Sequence, residues 1–340
     1  MYTKVEGGAD PPSEYPKDPP PSPATDTGPD KLELRVFRTA DQIEELRVPI
    51  LPRCFEFSEL VAATGNLKSC ALDYFYGGHL EDGQVVAVKR LKQDSGAQEF
   101  LTQVFIVSQL NHPNIVKLIG YCTYGDDRYV VYELMPLGSL RDHLHDLPPN
   151  KEPLDWNTRM KIAEGVARGL EYLHKMNPPV IYRFISSSNI LLGEGYHSKL
   201  SDVGVERFCP THAMTEYGYH TPEDLLVGEI SVKSDVYSFG VLLLELVTGR
   251  KAIDIERCHG EQLLVAWACW LLTYESKVMH TCMADPLLQD RYPLISLYQA
   301  LSLASQCLNS QAEHRPPIEY IVDKVSQLAS QTYGSKTATA

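Results

Sequence analysis

The side chains able to do chemistry in this 340-residue chain sit in short strings: Val86-Ala87-Val88-Lys89, Tyr182-Arg183-Phe184-Ile185-Ser186-Ser187-Ser188-Asn189, Asp202-Val203-Gly204 and Thr221-Pro222-Glu223. Lys89 closes a short β-rich run, where its ammonium can meet a phosphate or simply stand solvated. At the third position of the Tyr182 string stands a phenyl ring, Phe184. A phenyl ring can neither orient a hydroxyl nor accept its proton, the service by which a positioned acid–base group contributes about 10²–10⁴-fold to rate. Each string alone has an ordinary structural reading, and it is their order and separation that point to one shared purpose.

Taken in order, the strings resemble the V-A-I-K, H-R-D-x-x-x-x-N, D-F-G and A-P-E motifs of protein kinases. Ser234-Asp235-Val236-Tyr237-Ser238-Phe239-Gly240 resembles the start of the kinase large-lobe helix, and Arg315 stands where a partner for Glu223 is expected. The closer resemblance is to plant receptor-like cytoplasmic kinases, serine/threonine kinases related to receptor kinases. It rests on Phe57-Ser58-Glu59-Leu60 with Ala62-Ala63-Thr64, Asn114 to Cys122, Pro136-Leu137-Gly138-Ser139-Leu140, Leu154-Asp155-Trp156 and Ser188 to Leu192, and it runs from about Cys54 to Ser330. Tyr182 in place of histidine is usual in that family. The resemblance implies that Lys89 contacts the nucleotide phosphates and that Glu133 to Met135 form the hinge beside the nucleotide. It makes Asn189 and Asp202 magnesium ligands, and Arg183, Glu223, Asp235 and Arg315 scaffold residues.

Against that family pattern the chain has several losses. Phe184 replaces the catalytic aspartate, and Ser186 replaces the lysine that steadies the transferred phosphoryl group. Counting back from Phe75-Tyr76-Gly77-Gly78, the three glycine-loop positions fall on Lys68, Cys70 and Asp73. Side chains there occupy phosphate space, and Asp73 repels the nucleotide's charge. Phe75 takes the place of a small residue over the adenine, either filling that space or lying on the strand surface. Gln103 replaces the helix glutamate that fixes the lysine, so Lys89 is expected to wander, held at best by a hydrogen bond. Val203 replaces the D-F-G phenylalanine, and Thr215-Glu216 stands where Gly-Thr usually lies in the substrate-docking loop.

A net charge of −13 argues against a nucleic-acid partner, which needs basic surface to displace counterions. The eight cysteines show no C-x-x-C pair and no zinc spacing, which suits reduced thiols in a cytosolic setting. No apolar run approaches the ~20 residues of a transmembrane helix, so no transmembrane segment is expected. Met1-Tyr2-Thr3-Lys4 has neither a signal-peptide pattern nor the glycine that myristoylation requires, and a cytoplasmic location is therefore expected.

The elements that must position these residues follow from periodicity. Residues 1–31, rich in proline, read as a disordered tail, residues 32–53 as an extended arm, and residues 331–340 as a flexible C-terminal tail. Between them, residues 54–330 read as an α+β, bilobal, protein-kinase-like domain: a β-rich small lobe to about residue 135 with one main helix, then a mainly helical large lobe. Strands are expected at Val85–Val88 and Arg128–Tyr132, and helices at Gln98–Leu110, Trp156–His174, Lys233–Thr248, Leu297–Leu308 and Ile318–Leu328. The expectation is a catalytically impaired kinase fold, a pseudokinase, serving as a binding, scaffold or regulatory module for other protein kinases, receptor kinases or immune receptors. It requires no cofactor and binds ATP and magnesium weakly at most. The alternative is a weak or unconventional ATP-dependent serine/threonine kinase.

Overall fold

Alternation along the strand Val85–Leu91 sends Val86 and Val88 to one face of a sheet and Ala87, Lys89 and Leu91 to the other. The computed structural model describes residues 52–67, 75–91, 97–183, 185–203, 217–228, 230–272 and 280–331. The proline-rich tail, the arm up to residue 51 and residues 332–340 lie outside them. The small lobe holds β1 (Arg53–Cys54), α1 (Phe57–Ala63), β2 (Phe75–His79), β3 (Val85–Leu91), α2 (Ala97–Ser108), β4 (Leu118–Tyr124) and β5 (Asp127–Glu133). The five strands form one sheet in the order β1-β4-β5-β3-β2; β1 runs parallel to β4 and every other pair is antiparallel.

The two faces of this sheet carry separate apolar layers. Val86, Val88, Tyr129 and Val131 pack with Phe55, Leu60 and Cys122 beneath α1. Leu91, Val130 and Tyr132 pack with Phe100, Val104 and Val107 of α2. Each fully buried large side chain contributes roughly 1.5–3 kcal/mol. The outer layer is closed by β1 and α1: Glu59 Oε2 accepts a hydrogen bond from the Glu56 N–H at 2.8 Å, and Phe57 stacks on Tyr124 with centroids 4.1 Å apart. Glycine is required at position 120, where a Cβ would stand 2.6 Å from Phe55 Cε2 and overlap the Arg53 carbonyl oxygen.

The large lobe contains α3 (Leu140–Leu144), α4 (Trp156–His174), β6 (Ile190–Leu192), β7 (Ser198–Leu200), α5 (Pro222–Val227), α6 (Val232–Thr248), α7 (Leu264–Leu272), α8 (Leu294–Cys307) and α9 (Ile318–Ser330). Every residue of α6 from Ser234 to Thr248 is buried, so this mostly apolar helix is enclosed on all sides and forms the lobe's axis. Its start is capped by Ser231 Oγ accepting from the Lys233 N–H at 3.1 Å, and its end by Gly249 at φ 66°. The buried stripe Ile318, Ile321, Val325 and Leu328 seats α9 along α4.

One small element matters most for the site. β6 and β7 form a two-stranded ribbon with Ile190 opposite Leu200, so at its open end Asn189 faces Ser201, whose N–H donates to the Asn189 carbonyl at 3.0 Å, and Asp202 follows one residue beyond. The ribbon lies against α4 at Gly165, where a Cβ would come within 2.7 Å of Asn114 Nδ2. The α+β bilobal class is as expected. The ribbon, β2, β4 and α7 were not anticipated from periodicity, and α8 begins three residues earlier than its apolar pattern indicates. Among the described residues no helix is long and apolar enough to cross a membrane.

Candidate active site

β3 delivers Lys89 from the small lobe and the ribbon delivers Asp202 from the large one; Nζ of Lys89 lies 2.7 Å from Asp202 Oδ2, and both side chains are buried, at 5% and 4% exposure. Asp202 takes the left-handed backbone conformation, φ 59°, uncommon for a residue with a Cβ and of the kind that collects at functional sites. Ser201 holds it from beside: its Oγ lies 3.0 Å from the Asn189 carbonyl and 3.2 Å from Asp202 Oδ2. Asp202 Oδ1 is buried and accepts no hydrogen bond among the described residues. Asn189 is likewise buried, and its backbone N–H donates to the Ser186 carbonyl at 3.0 Å. Lys89 therefore does not wander, because a buried carboxylate takes its ammonium in place of the helix side chain. Gln103 is 2% exposed, and its Oε1 has no hydrogen-bond partner among the described residues.

The string that begins at Tyr182 is hung from α6. Asp235, fully buried, accepts from the Arg183 N–H at 2.7 Å through Oδ1, and from the Tyr182 N–H at 2.9 Å and His174 Nε2 at 2.7 Å through Oδ2. Arg183 sits at φ 80°, a conformation sustained by this anchorage. Tyr182 donates its hydroxyl to the Ser201 carbonyl at 2.7 Å, tying the string to the ribbon's far strand. Behind the site, Glu223 and Arg315 form a two-pronged ion pair, with Nη2 to Oε2 at 2.8 Å. Burial pushes the Glu223 carboxyl up, but hydrogen bonds and charge from Arg315 outweigh it, and the group ends below its ordinary value.

The other expected positions are placed as follows. Ser186 is buried in the turn before Asn189, and Val203 is buried in the main core. Glu133 is engaged structurally, with Oε1 accepting from Lys199 Nζ at 2.7 Å and from the Lys117 N–H at 2.8 Å, while Met135 is buried just beyond it. The backbone of Phe75 pairs with Lys89 across β2 and β3. Phe184, the loop positions Lys68, Cys70 and Asp73, the Phe75 side chain, and Thr215-Glu216 lie outside the described residues.

The arrangement joins a buried ammonium to an oxygen set, the Asp202 carboxylate and the Asn189 amide, of the kind a hard divalent cation accepts. The orphaned Asp202 Oδ1 fits that use. No group of three His, Cys, Asp or Glu side chains among the described residues forms a complete metal cage. The family model described as protein tyrosine and serine/threonine kinase matches residues 63–325. This chain belongs to the protein kinase family.

The chain is similar to proteins of Arabidopsis thaliana, three of which follow. Serine/threonine-protein kinase PBL27 is 53% identical over 89% of this chain and 63% of its own length; serine/threonine-protein kinase PBS1 is 54% identical over 84% and 66%. Probable serine/threonine-protein kinase PBL7 is 51% identical over 84% of this chain and 79% of its own length. The chain spans slightly less than two thirds of the length of the first two relatives. These findings overturn the expectation of a catalytically impaired non-enzyme: relatives at about half identity carry the name of serine/threonine-protein kinase. The departures at Phe184 and Ser186 are facts of the sequence. Read together they implied an inactive site, but the effects of groups that act as a unit are far from additive, so their number alone does not set the loss.

One buried polar residue escaped the sequence reading. Glu245, buried in the middle of α6, takes the Tyr219 hydroxyl at 2.6 Å, His145 Nε2 at 2.9 Å and the Ala252 N–H at 3.3 Å, with Ser187 Oγ at 3.4 Å. It links the string before Asn189 to the segment before α5. Burial, and then the Glu245 charge, push the Tyr219 phenol well above its ordinary value, so it stays a donor. A lone acid inside the apolar run Val241–Val247 was the available signal, because buried carboxylates need partners.

Proposed function

We propose that this chain is an ATP-dependent serine/threonine protein kinase of the plant receptor-like cytoplasmic type, one that works without a carboxylate base. The observation that carries the reading is the Lys89–Asp202 ion pair, with Asn189 tied to Asp202 through Ser201, on a scaffold whose supports at Asp235 and Glu223–Arg315 are complete. Lys89 holds phosphate oxygens, and Asn189 and Asp202 hold the metal through their side-chain oxygens. Glu133 to Met135 line the adenine end, where backbone groups do the binding because the Glu133 carboxylate is occupied by Lys199. Gln103, neutral and buried, lies behind the phosphate end. Magnesium, when bound, neutralises charge that develops on the transferred group.

With phenylalanine at 184, proton removal falls to solvent or to the phosphate itself, and turnover is lower by about the 10²–10⁴ that a positioned base contributes. Such a kinase acts on the cytoplasmic side of receptor signalling, with other protein kinases, receptor kinases or immune receptors as its partners. Incubation with γ-labelled ATP, Mg²⁺ or Mn²⁺ and a generic protein substrate tests the reading. Label transfer that disappears in Asp202→Asn supports it; transfer no greater than that of the Asp202→Asn protein refutes it.

A further inference from the structure

An ionised carboxylate offers about four acceptor positions, and four donors from separate segments meet at Glu245. The Tyr219 hydroxyl takes Oε2 at 2.6 Å, while His145 Nε2 takes Oε1 at 2.9 Å. The Ala252 N–H and Ser187 Oγ reach the same Oε1 at the longer distances of 3.3 and 3.4 Å. His145 and Tyr219 therefore make the two short bonds. Both partners of the histidine bond are out of solvent, at 3% exposure for His145 and 1% for Glu245, so removing the ring would strip a buried acid of a close donor.

The histidine closes α3, with its own N–H on the Arg141 carbonyl at 2.9 Å. One turn earlier in the same helix, the Arg141 N–H donates to the Ser187 carbonyl at 3.0 Å. The Ser187 N–H in turn reaches the Tyr219 hydroxyl at 3.4 Å. Backbone and side chain of Ser187 thus end on α3, Tyr219 and Glu245, and α3 grips this knot twice, through Arg141 and through His145. Asp146 does not draw the ring away, because its two oxygens face Arg141 Nε at 3.0 Å and Lys251 Nζ at 3.7 Å.

We infer that His145 is a positioning residue for the protein substrate: through Glu245 it holds Tyr219 in register with the string that carries Asn189. Tyr219 stands three residues after Glu216, in the stretch that resembles the substrate-docking loop. The inference rests on the kinase activity given as the proposed function. It separates the two substrates, since Lys89 and Asp202 are held by contacts of their own and the nucleotide end does not depend on His145.

Label transfer by the full chain, with dephosphorylated casein and ATP varied in turn, tests the role. His145→Leu should raise the KM for casein about tenfold, the scale of one lost hydrogen bond to a charged group, and leave the KM for ATP as in wild type. His145→Gln, whose amide N–H can reach Glu245, should restore most of the loss. Tyr219→Phe cuts the other short bond and should raise the same KM. His145→Leu/Tyr219→Phe should fall short of the product of the single effects, because both act through one carboxylate. An unchanged KM for casein in His145→Leu, an equal rise in the KM for ATP, or a double variant equal to the product overturns the inference. His145→Asn, polar but too short to reach Glu245, gives the same reading where His145→Leu fails to fold. Amide exchange at Ser187 and Ala252 in the nucleotide-free protein needs no activity: it should be faster at both in His145→Leu and close to wild type in His145→Gln. Exchange unchanged at both also overturns the inference. Wild-type label transfer no greater than that of Asp202→Asn refutes the proposed function instead, and the exchange measurement then decides alone whether His145 holds the knot.

Discussion

Replacing Asp235 by asparagine exchanges one oxygen for an amide nitrogen and should loosen the string that carries Asn189. In the native protein Oδ1 serves the Arg183 N–H, and Oδ2 serves both the Tyr182 N–H and His174 Nε2. An amide has one oxygen, so in either orientation its NH₂ faces a backbone N–H that is left without an acceptor. A buried donor left so costs about 1–3 kcal/mol, and the surviving bonds lose charge assistance, which makes each worth about 1.5–3 kcal/mol. The expected loss is about 2–4 kcal/mol, a large share of the roughly 5–15 kcal/mol that stabilises a typical protein. The left-handed backbone of Arg183, about 1–3 kcal/mol of strain, then loses part of its restraint, the Ser238 hydroxyl on its carbonyl at 3.3 Å remaining. Urea denaturation at fixed m-value measures the total, and amide hydrogen exchange at Tyr182 and Arg183 locates it. A loss below about 1 kcal/mol, with both amides still slow to exchange, would show that Asp235 is not what holds the string.

Two further perturbations reach the scaffold elsewhere. Gly120→Ala places a methyl against the Phe55 ring and the Arg53 carbonyl and should cost about 1–3 kcal/mol as β1 and α1 are pushed off the sheet, read as a lower melting temperature. The Glu223 carboxyl has a folded-state value below its ordinary one near 4.5, so its contribution is complete above that value and is lost as pH falls through the lowered folded value. Glu223→Gln should therefore be less stable than wild type at neutral pH, with the gap narrowing on acidification; a gap independent of pH between 7 and about 3 would contradict the ion pair's contribution.

Long helices were legible in the sequence because many residues repeat one period. α4 was placed at its observed limits, and α6 within one residue, between a serine cap and a glycine that the chain displays openly. The three-residue strands of the ribbon were not legible, since so short a run has no period to read and its pairing is fixed by α4 beneath it. Within the site, the identity of Lys89, Asn189 and Asp202 could be read from order along the chain, but not their partners. Lys89 was expected to lack a firm hold because its usual neighbour is a glutamine. The ion pair that replaces it joins residues 113 positions apart in different lobes, and only the folded chain brings them together. Glu245 was passed over for a related reason: an acid's partners across a core have no local sequence pattern.

The ribbon between Asn189 and Asp202 also says where this chain can change length. Its register is set by Ile190 opposite Leu200 and Leu192 opposite Ser198, while the connection from Gly193 to His197 lies at the outer end. Residues added to that connection extend a loop and leave the two oxygen-bearing side chains as they are. A single residue added between Leu200 and Asp202 turns the carboxylate through half a strand period, away from Lys89. Insertions and deletions among descendants of this sequence are thus confined to one end of a hairpin, and the chemistry at the other end is insulated from them.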